Sequence, residues 1–117
     1  MLFRSSHEVE RLVDAVGFID RGRLVLAEAF ADLHARFRRV EVTIESVASG
    51  AAYAADPSWI GLQQAGRLLR FVETRYADGE TERRAAAAFP AARVEVFEMT
   101  LREIFVAIAR DRRVARG

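Results

Sequence analysis

The sequence contains no cysteine, no lysine and no asparagine, and only two prolines, two histidines and one tryptophan among its 117 residues. The missing cysteine excludes a disulfide framework, a zinc ribbon and a thiol nucleophile. The missing lysine excludes a phosphate-binding loop of the form G-x-x-x-x-G-K-[ST], because that loop needs the ammonium group on the β- and γ-phosphates. Long apolar runs are also missing. Stretches such as Leu24 to Ala27 and Ala85 to Phe89 fall far short of the roughly 20 residues a membrane-spanning helix needs. The opening residues Met1-Leu2-Phe3-Arg4-Ser5-Ser6-His7 lack the apolar core and small-residue cleavage site of a secretory signal. A cytoplasmic protein with no direct membrane insertion is therefore expected. The formal net charge is only +1, so the strong basic footprint of a dedicated nucleic-acid binder is absent.

What is present is the balance of a folding chain: 51% apolar and 30% charged residues, long enough to bury a core without staples. Met1 to Phe3 can close a strand, and Ser5 with Glu8 forms a capping-box pattern. The helix it opens carries Val9, Leu12, Val13 and Val16 on one stripe. Ala15 to Ile19, the turn Asp20-Arg21-Gly22 and Arg23 to Ala27 read as a hairpin. Phe30, Leu33 and Phe37 mark one face of a brief helix ended by Arg38-Arg39.

From Val40 the pattern changes to alternation, with Val40, Val42 and Ile44 opposite Glu41, Thr43 and Glu45. A domain boundary is expected there, dividing the chain into residues 1–39 and 40–117. An alanine-rich segment around residues 48–55 reads as a weak helix that ends at Asp56-Pro57. Ile60 to Gln64 and Arg67 to Thr74 are strands joined at Ala65-Gly66, Glu80 to Phe89 is a helix, and Arg93 to Glu98 is a strand. Thr100-Leu101-Arg102-Glu103 is a second capping box, followed by the stripe Leu101, Ile104, Phe105 and Ile108. The expected class is α+β: a hairpin and helix, then a small ferredoxin-like βαββαβ unit, then an amphipathic C-terminal helix.

Two segments resemble a known family. Ser5-Ser6-His7, then Glu8-Val9-Glu10-Arg11-Leu12-Val13-Asp14 and Val16-Gly17-Phe18-Ile19-Asp20-Arg21-Gly22-Arg23-Leu24-Val25, are similar to the region around and after the switch histidine of ATP-binding cassette (ABC) transporter ATPases. Glu98-Met99-Thr100-Leu101-Arg102-Glu103-Ile104-Phe105-Val106-Ala107-Ile108 resembles the closing helix of the accessory domain in bacterial drug-exporter ATPases of the daunorubicin-resistance type. The resemblance implies that residues 1–39 are a remnant of the ATPase core and 40–117 its accessory domain. It also implies that His7 is the switch histidine at the γ-phosphate, a post suited to an imidazole that donates one hydrogen bond and accepts another. The segment after His7 is shorter than the family pattern, and Arg4 stands where that pattern is apolar. Read from the residues alone, without that match, His7 is better taken as a partly exposed residue in a helix's first turn.

The family's Leu-Ser-Gly-Gly-Gln signature and magnesium-holding acids are not in this chain. The resemblance therefore implies a non-catalytic accessory, regulatory or assembly domain that does not bind or hydrolyse ATP alone. ATP and magnesium would belong only to a complete parent. Its partners would be an ABC ATPase subunit or a second copy, with the permease reached indirectly at the inner face of the membrane. Apolar residues within 1–28 would then form an exposed patch where the missing core once covered them. The alternative is a free-standing small-molecule-binding or dimerising α+β module. His34 reads as a surface histidine, Arg110, Arg112, Arg113 and Arg116 as a solvated tail, and Trp59 and Tyr53 as packing residues. No cofactor or metal is expected.

Overall fold

Hydrophobic runs bounded by turn residues set the element order in the computed structural model, which describes residues 15–45, 56–89 and 91–116. The capping-box helix after Ser5, His7, the weak helix at 48–55 and Tyr53 lie outside the described residues. Strands β1 (Ala15–Asp20) and β2 (Arg23–Ala29) form an antiparallel hairpin. Arg21 and Gly22 turn its tip with φ of 55° and 77°, the pair of positive values that matches the twist of a two-residue hairpin. Val16, assigned from its spacing to a helical stripe, instead belongs to β1.

Helix α1 (Phe30–Arg36) follows directly, and Phe37 ends it in extended geometry. Strand β3 (Arg38–Ile44) therefore starts at Arg38 and not at Val40. The two arginines that read as a helix end instead pair with both neighbouring strands, Arg38 opposite Glu73 and Glu98. Strands β4 (Trp59–Ala65) and β5 (Leu68–Glu73) make a second hairpin, with Gly66 at φ 61° in its turn. Helix α2 (Glu80–Ala88), strand β6 (Ala91–Glu98) and helix α3 (Leu101–Arg116) complete the chain.

The larger sheet is antiparallel in the order β4-β5-β3-β6. That order, with α2 crossing from β5 to β6, is the ferredoxin-like arrangement, and the fold class is α+β. One sheet face holds Val40, Val42, Ile44, Leu69 and Phe71 against Ala85 and Phe89. Trp59 stacks on Phe71 with centroids 4.4 Å apart and on Phe89 at 5.7 Å, adding aromatic contact to the area it buries.

A second core lies between α1, α3 and the β1–β2 hairpin: Leu33, Phe37, Met99, Ile104 and Ile108 are buried, with Val16, Phe18, Leu26 and Val72 packed against them. The capping box at Thr100 forms as its spacing predicts. The Glu103 backbone N–H donates to Thr100 Oγ1 at 3.1 Å, and the Thr100 N–H donates to Glu103 Oε1 at 2.8 Å. Helix α3 thus starts at a fixed residue, and the phase of its apolar stripe follows. That stripe ties the hairpin to the sheet. No helix among the described residues is long and apolar enough to cross a membrane.

Candidate functional site

The densest polar cluster surrounds Glu73, which is fully buried at the end of β5. Its Oε1 accepts from Trp59 Nε1 and Arg84 Nη2, both at 3.0 Å, and from Thr81 Oγ1 at 3.4 Å. Its Oε2 accepts from Ser58 Oγ and from the Arg75 backbone N–H. A carboxylate offers about four lone-pair positions, and the surrounding groups crowd all of them. Asp56 extends the cluster: it accepts from the Ser58 N–H at 2.9 Å and from Arg84 Nη1 at 3.0 Å. The Ser58 backbone bond is the main reason its carboxyl sits below the ordinary range. Nearby, burial first and then the hydrogen bond to Glu82 push the Tyr76 phenol up to about 12. Tyr76 is consequently a donor at neutral pH and not a base. This cluster clamps the loops before β4 and after β5 onto α2.

The feature that points outward is the hairpin. Its two faces are separated by the strand period of two. Val16 and Phe18 turn inward with Leu26, and Phe18 lies 5.2 Å from the Phe105 ring of α3. The opposite face is built from the cross-strand pairs Ala15–Ala29, Gly17–Ala27 and Ile19–Leu24. All six of these residues are exposed, and none is charged or polar. Ile19 is 67% and Leu24 64% accessible. Leu24 leans over Gly17, where an added Cβ would stand 3.5 Å from its Cδ1. Strands apolar on both sides are normally covered on both sides. Here one side is covered by α3 and the other is open, while among the described residues β1 and β2 pair only with each other.

Polar contacts hold this open element in place. Arg112 Nε donates to Asp20 Oδ2 at 2.9 Å. Arg36 grips Glu28 with both arms of its fork, at 3.0 and 2.8 Å, and this holds the Glu28 carboxyl below its ordinary value. The same guanidinium reaches the Thr74 carbonyl at 2.8 Å, joining β2 and α1 to the loop after β5.

Of the residues singled out from sequence, His7 and Tyr53 lie outside the described residues. Trp59 is in the core at 8% exposure, with its indole N–H on Glu73. His34 stacks on Phe30 with centroids 5.5 Å apart, and its Nε2 is 3.8 Å from Glu98. Among the described residues no group of three or more histidines and carboxylates is arranged to hold a metal ion. The solvated-tail reading of the C-terminal arginines needs correction at Arg112. Helical turns carry it back to the hairpin side of α3, seven residues beyond Phe105, where it meets Asp20. Sequence reasoning missed Glu73 altogether, since a lone glutamate ending an apolar strand carries no signal of the five donors that converge on it. Compared with models of known protein families, with curated proteins and with solved structures, the chain matches none.

Proposed function

We propose that this chain is a non-catalytic assembly module: the C-terminal accessory portion of an ABC exporter's ATP-binding subunit, which docks on an ATPase body through the outer face of its β1–β2 hairpin. The observation that carries the reading is that uncharged outer face, six exposed residues without a polar side chain. A two-stranded hairpin is marginal in water by itself, and an apolar face of this kind marks a site for another protein surface. The segment concerned, Val16 to Val25, is also the one whose sequence resembles the ABC ATPase core.

The absence of lysine supports a role without autonomous ATP binding. In this reading the ferredoxin-like unit is the rigid base and α3 the strut that presents the hairpin. The partner is an ABC ATP-binding subunit or a second copy of the chain. The permease is reached through that partner, on the cytoplasmic side of the membrane. Co-expression of the tagged chain with cognate ATP-binding and permease subunits tests the proposal. Recovery of the ATP-binding subunit in a stoichiometric complex is expected; recovery of neither subunit counts against it.

A further inference from the structure

A second surface, on the other side of the molecule from the Glu73 cluster, has the chemistry of a ligand site. Helix α3 crosses the sheet face opposite to α2 and leaves a groove of about 300 Å³, at the lower end of the range typical of small-molecule sites. Val72, Met99, Val106 and Ala107 supply apolar lining, while Arg39 and Arg70 enter from the sheet and Arg102 and Arg110 from the helix. Arg102, Val106 and Arg110 are spaced by four, so one helix face presents basic, apolar and basic side chains in a row.

The charge in this groove is only partly balanced internally: Glu41 and Glu103 stand near Arg39 and Arg70, and Arg102 and Arg110 are left over. Four arginines line it against one carboxylate, Glu103, and Glu103 is committed to the Thr100 N–H at 2.8 Å. Its other oxygen is 3.9 Å from Arg39, too long for a hydrogen bond. Glu41 lies 3.4 Å from Arg39 Nε and 3.3 Å from Arg70 Nε. Neither contact is aligned as a hydrogen bond, and Arg39 Nε is a buried donor with no acceptor. Arg102 and Arg110 make no ion pair or hydrogen bond among the described residues. Stacking over Phe97 at 4.7 Å holds the Arg39 guanidinium in place, so its terminal N–H groups are already oriented before a ligand arrives.

From these observations we infer that the groove between α3 and the sheet binds a small amphipathic anion, a carboxylate carrying an apolar chain, with its head on the arginines and its body along Val72, Met99 and Val106. The inference is independent of the reading of the hairpin face, which lies on a different surface.

Calorimetric titration of the full chain with octanoate and, separately, 1-octanol tests it, because the two probes share an apolar body and differ in charge. Octanoate is expected to bind saturably at one site, with octanol at least about tenfold weaker, the loss that follows from removing one charge-assisted hydrogen bond. The double variant Arg102→Ala/Arg110→Ala should weaken octanoate about tenfold without changing octanol binding or the unfolding midpoint. Both side chains are exposed, so the fold does not depend on them. Val106→Trp, placed at a residue 39% exposed, should fill the groove and remove binding of both probes. Equal affinity for octanoate and octanol, octanoate binding unaltered in the double variant, or no saturable binding would each overturn the proposal. So would sedimentation with phosphatidylglycerol vesicles in the absence of octanoate binding, since that outcome assigns the arginines to a lipid surface.

Discussion

The two sheets of this protein solve the same burial problem to different extents. The four-stranded sheet covers one face with α2 and an aromatic stack, and its other face lies beneath α3. The two-stranded sheet covers one face with α3 and leaves the other bare. Both are rich in apolar residues, so composition does not distinguish them. What differs is the supply of covering elements: the chain has a helix for every face of the larger sheet and none for the outer face of the hairpin among the described residues. The larger sheet is thus covered on both faces, while the hairpin is an attached element with one apolar face left exposed.

Substitutions separate the two regions, and the largest effect is expected in the scaffold. Phe71 is fully buried between Trp59 and Phe89, so Phe71→Ala should lower global stability by about 3–5 kcal/mol. Urea unfolding followed by tryptophan fluorescence reads it directly, since Trp59 touches the cavity. A loss below about 1 kcal/mol would show that the aromatic stack is not the centre of the scaffold.

Acid should weaken both regions. Glu28, held low by Arg36, and Asp56, held low chiefly by the Ser58 N–H, have ordinary values of 4.5 and 3.8. A carboxyl depressed in the folded state stabilises fully above its unfolded value, and that contribution disappears as pH falls through the folded one. Stability should therefore be level near neutrality and fall once the pH drops below about 4.5. Because Glu28 fastens the hairpin and Asp56 the scaffold, Glu28→Gln should flatten the acid limb for hairpin amides only, which residue-resolved hydrogen exchange distinguishes.

The smallest stability effect belongs to the strut. Arg112 and Asp20 are 36% and 22% exposed, so Arg112→Ala should cost only about 0.5–1 kcal/mol. Its signature is regional: amides of β1 and β2 lose protection from exchange while those of β3 and β5 keep it. Equal loss in both sheets would mean that hairpin and scaffold unfold as one unit, and the comparison between them would fail.

Much of the scaffold was legible in the sequence because each of its elements obeys one period. Val40, Val42 and Ile44 alternate, the Thr100 capping box is local, and Leu101, Ile104, Phe105 and Ile108 repeat with helical spacing. The errors fell where tertiary pairing overrides local pattern. Arg38 and Arg39 look like a helix end, yet two neighbouring strands recruit them into β3. The open face of the hairpin was legible only as an apolar excess. Ala15, Gly17, Ala27 and Ala29 are too small to announce a surface, and only the register that sets them opposite one another beside Ile19 and Leu24 reveals it. The groove left a fainter trace, the four-residue spacing of Arg102, Val106 and Arg110, since its other half comes from strands distant in sequence.

The proposed docking role of the hairpin is tested most directly by exchanging its one large apolar pair for a charged one. Ile19 and Leu24 are cross-strand partners, so Ile19→Glu combined with Leu24→Lys places opposite charges face to face and preserves the hairpin. Titrating wild type and this double variant against the purified cognate ATP-binding subunit compares docking with the fold held constant. The account predicts saturable binding by the wild-type chain and at least about a hundredfold weaker binding by the variant, the loss expected when the apolar centre of an interface is removed. Equal binding by the two proteins would contradict it.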